Sequence, residues 1–175
     1  MNNLQIRDAR DADREILQSV TLSAYEQYAR IMGENWKFYR KNILDTLADV
    51  KPAEQIVAEN DRGIIGTVLL YPAGTQVHGP DGKSIGLQVP EVRLLAVLPT
   101  ARGQGVGVAL MQECIRRARQ SGAAALGLHT TDMMNVAMRM YENMGFMRVP
   151  ALDLSPAEGI IVKGYRIDLR DAATR

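Results

Sequence analysis

The chain has 175 residues and nearly balanced charge, with 21 Lys and Arg against 20 Asp and Glu, which argues against nonspecific binding to nucleic acid or an anionic membrane. A single cysteine, Cys114, excludes an intrachain disulfide and a multi-cysteine zinc site, and the sequence lacks a signal peptide's apolar core and the ~20-residue apolar run of a membrane span. We therefore expect one cytoplasmic domain over residues 1–175, with no metal, nucleic-acid or membrane partner.

The first half of the chain predicts a short strand, two helices and a β-hairpin from the spacing of its apolar residues. The strand covers Leu4 to Arg7, the helices cover Asp11 to Ile31 and Trp36 to Ala48, and the hairpin strands cover Gln55 to Glu59 and Ile64 to Tyr71. Gly33 and Pro52 mark the helix ends. Asn60-Asp61-Arg62-Gly63 has the composition of a hairpin turn.

The second half begins with a loop-rich stretch, Pro72 to Pro90, which carries either a small hairpin or an irregular excursion and has its tip at His78 to Lys83. The elements predicted after it are a strand at Val92 to Leu98, a helix at Gly105 to Ser121, a strand at Ala124 to Thr130, a helix at Asp132 to Asn143, and strands at Phe146 to Val149 and Ile160 to Leu169. The predicted order is therefore β-α-α-β-β-β-α-β-α-β-β.

A glycine-rich turn joins the predicted strand at 92–98 to the next helix, with the sequence Arg102-Gly103-Gln104-Gly105-Val106-Gly107. Glycine leaves no side chain between the main chain and a ligand. The first amides of the helix and its dipole both favour an anion at this end, and Arg102 adds a positive charge. This pattern favours phosphate binding.

Spacing argues against two well-known phosphate-binding patterns. The phosphate loop of nucleotide hydrolases ends in Gly-Lys-Ser or Gly-Lys-Thr, whereas this turn continues Val106-Gly107-Val108. The dinucleotide fingerprint requires glycine three residues after Gly105, where this chain has Val108. A third anion-binding loop and a tight turn without a ligand remain open.

The turn resembles the Arg/Gln-x-x-Gly-x-Gly/Ala pyrophosphate loop of the GNAT superfamily of acyl-CoA-dependent N-acetyltransferases. Tyr141-Glu-Asn-Met-Gly-Phe146 resembles the Tyr-Glu-x-x-Gly-Phe signature of the same family, and the predicted element order is similar to that of its fold. The resemblance implies an α/β (mixed α+β) GNAT fold. Its central sheet would be mixed and mostly antiparallel, with about seven strands, splayed strands four and five, and about four flanking helices.

The resemblance also implies where acetyl-CoA, the cosubstrate, is held. Backbone groups of Leu95 and Val97 on the fourth strand would pair with the pantetheine arm. The pyrophosphate would be held chiefly through the main chain of the turn, by Arg102, Gly103, Gln104, Gly105, Val106 and Gly107. Asn135 would contact the CoA arm, although a hydrogen bond within its own helix is an alternative.

Two residues are implied in the chemistry. Tyr141 lies where the family often has a phenol near the CoA sulfur, which makes it a candidate general acid, with a core tyrosine as the alternative. Glu91 lies where several members have a general base, with an ordinary strand-edge carboxylate as the alternative. Arg93 shares a face with Glu91 in a regular strand and is a candidate ion-pair partner for it. His129 is a further candidate base or a structural histidine.

The expected activity is transfer of an acetyl group from acetyl-CoA to a primary amine, in a small molecule or a peptide, by direct attack in a ternary complex. The alternative is a noncatalytic acyl-CoA-binding sensor or scaffold module. The presence of both Tyr141 and Glu91 favours the enzyme. The sequence does not identify the acceptor, and a homodimer and a monomer both remain open.

Overall fold

The structure, a computed structural model, describes residues 3–78, 83–157 and 160–170. The chain divides into two compact units. The first unit comprises residues 1–70 and 94–113, and the second comprises residues 71–93 and 114–175. The tip predicted for the loop after residue 72 falls partly on residues 79–82, outside the described residues.

Ten strands and five α-helices lie within the described residues. The strands are β1 (Gln5–Asp8), β2 (Glu54–Asn60), β3 (Gly63–Tyr71), β4 (Gln76–His78), β5 (Ser84–Gly86), β6 (Glu91–Val97), β7 (Ala125–Thr130), β8 (Met147–Arg148), β9 (Leu154–Ala157) and β10 (Ile160–Asp168). The helices are α1 (Arg14–Tyr25), α2 (Ala29–Met32), α3 (Trp36–Ala48), α4 (Val106–Gln120) and α5 (Asn135–Asn143). None of these helices is both long and apolar enough to cross a bilayer.

The first unit contains the strand order β1-β2-β3-β6, in which β1 pairs with β2 and β2 with β3 in antiparallel fashion. Its apolar side chains lie where the sequence alternates or repeats with helical spacing. Leu17 and Val20 of α1 pack with Val57 of β2 and Ile64 of β3. Helix α1 is therefore fixed against the sheet of this unit.

Gly66 of β3 allows the start of α4 to approach the strand closely. A Cβ at this position would lie 3.0 Å from Cγ1 of Val106 and 3.1 Å from Cδ1 of Leu110. Both side chains are buried. The missing side chain at Gly66 thus sets the position of the helix N-terminus that follows the glycine-rich turn.

The second unit contains the order β6-β7-β10-β8, with β9 beside β10, and a separate hairpin of β4 and β5. Strand β10 is antiparallel to β7, β8 and β9. Strands β6 and β7 are parallel and pair at Glu91 with Gly127 and at Val92 with Leu128. These are the predicted fourth and fifth strands, and the prediction of a mixed, mostly antiparallel sheet is confirmed.

Two local features differ from the predicted elements, and a third decides between two predicted alternatives. Helix α1 ends at Tyr25 and gives way to a 3-10 turn before α2, whereas one continuous helix is predicted. The Ala24 carbonyl in the last turn of α1 accepts side-chain donors from Gln27 and Arg102, and side-chain groups inserted at a helical carbonyl are a known cause of helix distortion. Strand β9 is not predicted, and β4 with β5 form the small hairpin that is one of the two alternatives for its region.

Candidate active site

The glycine-rich turn lies at the start of α4 in the first unit. Gly103 and Gly105 have φ values of 73° and 78°, and a Cβ at either would meet no atom within 4 Å. Gly107 lies in the first turn of α4 instead. Residues 102–105 are exposed, and the first amides of a helix have no partner within it. The turn therefore presents main chain to solvent at the positive end of the α4 dipole, as phosphate binding requires.

The Arg102 side chain is tied to α1. Its guanidinium donates to the Ala24 carbonyl at 3.0 Å and to Oε1 of Gln27 at 3.1 Å. The side-chain amide of Gln104 donates from Nε2 to the Thr100 carbonyl at 3.1 Å. Both long side chains therefore fix the shape of the turn, which leaves its backbone as the anion-binding surface.

Strand β6 contains a residue in an unusual conformation. Leu94 has φ 50°, a left-handed value that costs an ordinary residue of order 1–3 kcal/mol. After it, Leu95 and Val97 are half-buried on one face of the strand, and Ala96 between them is buried. The predicted pantetheine-binding residues thus share a partly accessible face.

In the second unit, the structure brings Glu91 and His129 together. Glu91 pairs with Gly127 in the parallel register, and His129, two residues along β7, lies on the same face as Gly127. Oε2 of Glu91 is 3.2 Å from Nδ1 of His129, and the two side chains are only 11% and 19% exposed. The two candidate bases therefore form one contact.

The second ring nitrogen of His129 is also engaged, because Nε2 lies 2.8 Å from the Leu152 carbonyl oxygen. A carbonyl can only accept, so Nε2 carries a proton. A neutral ring with that proton would direct the Nδ1 lone pair at the carboxylate of Glu91, so the arrangement favours the doubly protonated ring. Burial lowers the pKa of His129, but the hydrogen bond and charge of Glu91 and the bond to Leu152 outweigh it, and the net pKa is raised.

The candidate ion pair between Arg93 and Glu91 is not formed. The guanidinium of Arg93 lies 5.8 Å from the ring centroid of Tyr71 and donates to the His78 carbonyl at 3.4 Å. A guanidinium over an aromatic face gains a cation–π attraction. The partner of Glu91 in this unit is therefore the imidazole from β7.

Tyr141 lies near the end of α5, where its side chain is buried and 7% exposed. Its ring meets that of Phe146 edge to face, with centroids 6.0 Å apart. The Phe146 amide donates to the Tyr141 carbonyl at 3.0 Å, and Gly145 between them takes φ 93°. Glu142 accepts a hydrogen bond from the Tyr165 hydroxyl at 2.9 Å. The motif thus ends α5 and fixes the phenol of Tyr141.

Asn135 is the first residue of α5, and it is exposed. The predicted helix begins at Asp132, but α5 begins at Asn135, and the carboxylate of Asp132 forms an ion pair with Lys163. The residue that precedes α5, Met134, provides no side-chain cap. Contact of Asn135 with the CoA arm stays a prediction.

Residues 16–146 match the acetyltransferase (GNAT) family, a range that includes the glycine-rich turn, the β6–β7 pair and the Tyr141 motif. The chain belongs to the GNAT family. The resemblance inferred from the turn and the Tyr141 motif is therefore confirmed.

Among curated GNAT relatives, the chain is similar to mycothiol acetyltransferase of Cellulomonas flavigena, with 33% identity over 120 residues that cover 62% of this chain and 32% of the relative. It is also similar to N-acetyltransferase 8B of Rattus norvegicus, with 31% identity over 126 residues that cover 67% of this chain and 54% of the relative. The chain thus spans about a third to a half of the length of these proteins.

Solved structures show the same fold. An acetyltransferase of the GNAT family from Staphylococcus aureus superposes with a TM-score of 0.70 at 17% identity, covering 95% of this chain and 99% of that one. A GNAT family acetyltransferase from Brucella melitensis in complex with acetyl-CoA superposes with a TM-score of 0.62 at 20% identity, covering 98% and 91%. The mixed α/β GNAT fold is therefore established for this chain.

Sequence reasoning missed how His129 is held in this GNAT chain. It identified the residue as a candidate base but found no partner for it. The contact with Glu91 follows from the register of β6 and β7, and that with Leu152 from the backbone path before β9. The one available signal is that Glu91 lies at the edge of one predicted strand and His129 within the next one; the sequence does not specify the register that joins them.

Proposed function

We propose that this GNAT chain transfers the acetyl group of acetyl-CoA to a primary amine by direct attack of the amine on the thioester. The observation that carries the proposal is the exposed glycine-rich turn at the N-terminus of α4. The open space above Gly103 and Gly105 fits a pyrophosphate that lies against the main chain. Bound acetyl-CoA supplies the activated acyl group.

The chain's backbone does most of the binding in this proposal. Amides of residues 103–107 donate to the pyrophosphate, and Arg102 holds the turn in shape through its bonds to Ala24 and Gln27. Backbone groups of Leu95 and Val97 pair with the amides of the pantetheine arm, and Asn135 contacts the arm from the start of α5. Anion affinity then depends on main-chain geometry more than on side-chain identity.

Each catalytic role follows from the proton movements that acetyl transfer needs. Glu91 accepts a proton from the ammonium group, which produces the neutral amine that attacks. The N–H of Val97 donates to the carbonyl oxygen as negative charge develops there. The hydroxyl of Tyr141 donates its proton to the sulfur as the carbon–sulfur bond breaks. The second proton that the nitrogen loses restores the phenol of Tyr141, and Glu91 releases its proton to water. The products are an acetylated amine and CoA with a free thiol.

The acceptor is an amine in a small molecule or a peptide. The two relatives described above have different names, and these names do not identify the amine that this chain acetylates. A cytoplasmic location fits the single cysteine, Cys114, which is wholly buried.

The test is thiol release from acetyl-CoA by the purified protein across a panel of amino acids, polyamines, aminoglycosides and peptides, with calorimetric binding of CoA measured in parallel. Acetylation of one or more amines supports the proposal. Tight CoA binding with no turnover on any amine would favour the noncatalytic sensor instead. Absence of CoA binding would reject both functions.

A further inference from the structure

We propose that His129 is a positioning residue for the base Glu91: its ring, protonated on both nitrogens, spans from the carboxylate to the Leu152 carbonyl and fixes Oε2, so that Oε1 accepts the proton of the amine. The inference rests on the proposed function, because it assigns Glu91 the role of base. His129 itself need not contact either substrate.

The ring is held at both ends inside the second unit. Nδ1 lies 3.2 Å from Oε2 of Glu91, and Nε2 lies 2.8 Å from the carbonyl of Leu152. A ring with only one of these bonds could rotate about it, whereas two opposed bonds determine both its position and its tilt. The orientation of the Glu91 carboxylate is therefore coupled to the backbone at Leu152.

That backbone is itself built around a glycine. Gly164 of β10 pairs with His129 of β7, and a Cβ at Gly164 would lie 2.5 Å from the Cβ of Leu152. The Gly164 amide donates to Oδ1 of Asp153 at 3.0 Å, and Arg148 donates to the Gly164 carbonyl at 3.2 Å. These bonds fasten the segment before β9 across β10, where it presents the Leu152 carbonyl to the ring.

The charged groups around the ring favour its protonated form. Glu91 accepts from Nδ1, and Asp153 adds negative charge, although Asp153 is paired with Arg148. Arg93 of β6 opposes protonation. On the side of β10, Lys163 is paired with Asp132, so its charge is largely compensated. The net effect of these groups is to favour the imidazolium form of His129, which donates to Oε2 and leaves Oε1 of Glu91 as the oxygen that accepts the proton of the amine.

Two substitutions separate positioning from a merely structural role. His129→Asn places an amide nitrogen near Nδ1 and can still donate to Glu91, whereas His129→Gln places one near Nε2 and can still donate to Leu152. If His129 positions Glu91, both variants have a lower kcat than the unaltered chain, because each keeps only one of the two bonds. The Gln variant, which loses the bond to Glu91, falls by about tenfold or more and the Asn variant by less, with the KM for acetyl-CoA unchanged in both. A Gln variant as active as the Asn variant or more so would overturn the proposal.

Nuclear magnetic resonance of the imidazole nitrogens provides a readout that needs no activity. The chain has two histidines, and the second, His78 of β4, is exposed. His78→Gln removes its signal and so assigns the remaining one to His129. Replacing Glu91 by Gln should lower the pKa of His129, because the charge and hydrogen bond that raise it are removed or weakened. An unchanged His129 titration would refute the coupling, even if both His129 variants fail to fold.

The two proposals fail in different ways. If no amine is acetylated while Glu91→Gln still shifts the His129 titration, the proposed activity is wrong and the pair is a structural feature. If amines are acetylated and the Asn and Gln variants have equal kcat, the activity stands and the positioning role is wrong.

Discussion

Gly164 lies directly opposite His129 in the antiparallel pairing of β7 with β10, and the absence of its side chain lets Leu152 pass over the strand. One glycine therefore fixes the backbone that holds the second nitrogen of the histidine. Through this pairing, two segments that are distant in the sequence form one local structure: Leu128-His-Thr-Thr-Asp132 and Gly164-Tyr-Arg-Ile-Asp-Leu169.

Gly164→Ala should destabilise the protein by about 1–3 kcal/mol, because the new methyl group would overlap Cβ of Leu152 and come within 3.1 Å of its backbone. Urea unfolding measures the loss. Gly127→Ala is the matched control on the neighbouring strand, since its Cβ would lie no closer than 3.4 Å to another atom. Equal losses in both variants would contradict the close approach of Leu152.

Gly105→Ala should weaken CoA binding by roughly tenfold, because a methyl group would stand between the main chain and the pyrophosphate. Calorimetric titration with CoA measures this. Gly122→Ala is a close control, since Gly122 has φ 77° against 78° for Gly105 and equally open surroundings. Both variants carry a similar backbone strain of about 1–2 kcal/mol, so an equal change in CoA affinity would argue against a phosphate site at the turn.

Tyr141→Phe should lower kcat by about 10²-fold and leave CoA binding and the fold intact, because only the proton donor is removed. Steady-state thiol release with a competent amine provides the measurement. Tyr165→Phe is the control for removal of a buried hydroxyl: it deletes the bond to Glu142 and should cost about 1 kcal/mol of stability without lowering kcat. Full activity of the Tyr141 variant would exclude the phenol as the acid.

Acid should destabilise the first unit through Arg7, which bridges Asp13 at 2.7 Å and Glu59 at 2.7 Å. Hydrogen bonds from Arg7 hold the pKa of each carboxyl below its ordinary value, 3.8 for Asp13 and 4.5 for Glu59. A carboxyl with a lowered pKa in the folded state adds stability that is present above its ordinary pKa and is lost as the pH falls through the folded value. We therefore expect the free energy of unfolding to decrease as the pH falls below these ordinary pKa values, 4.5 and 3.8, toward the lower values of the folded state.

Asp13→Asn should make this loss shallower, because one of the two coupled carboxyls no longer titrates. Urea unfolding at several pH values between about 7 and 3 gives the slope. Asp45→Asn is the control, since Asp45 pairs with Lys41 on the exposed surface of α3 and such pairs contribute little. A slope that Asp13→Asn leaves unchanged would show that the Arg7 bridge does not govern acid stability.

Local patterns determined most of the fold and little of the side-chain geometry. Helix α3 runs from Trp36 to Ala48 as predicted, because helical spacing and Pro52 define it without help from distant residues. Gly145 takes the positive φ that is typical of a glycine just after a helix. At the break after Tyr25 the Ala24 carbonyl accepts from Arg102, which lies 78 residues further along the chain, and no pattern within the helix reports that contact.

The same distinction applies to the candidate site. The turn and the Tyr141 motif are contiguous in sequence and could be found as motifs. The contact between Glu91 and His129 depends on which residues of β6 and β7 stand side by side, and a shift of one residue would direct one of them to the opposite face. Arg93 shows this difficulty. Its place two residues after Glu91 on the same strand suggests an ion pair between them, but the partner of Glu91 is His129 of the neighbouring strand, and Arg93 contacts Tyr71.

The anchoring of Arg102 to the carbonyl end of α1 has a kinetic consequence for ligand capture. A loop that must order itself around a ligand loses conformational entropy on binding and slows association. Here the guanidinium and the Gln104 amide already hold the turn through Ala24, Gln27 and Thr100. The glycine-rich turn is thus preorganised. The rate of its association with CoA should be limited by encounter and orientation, and rearrangement of the turn should contribute little to the barrier.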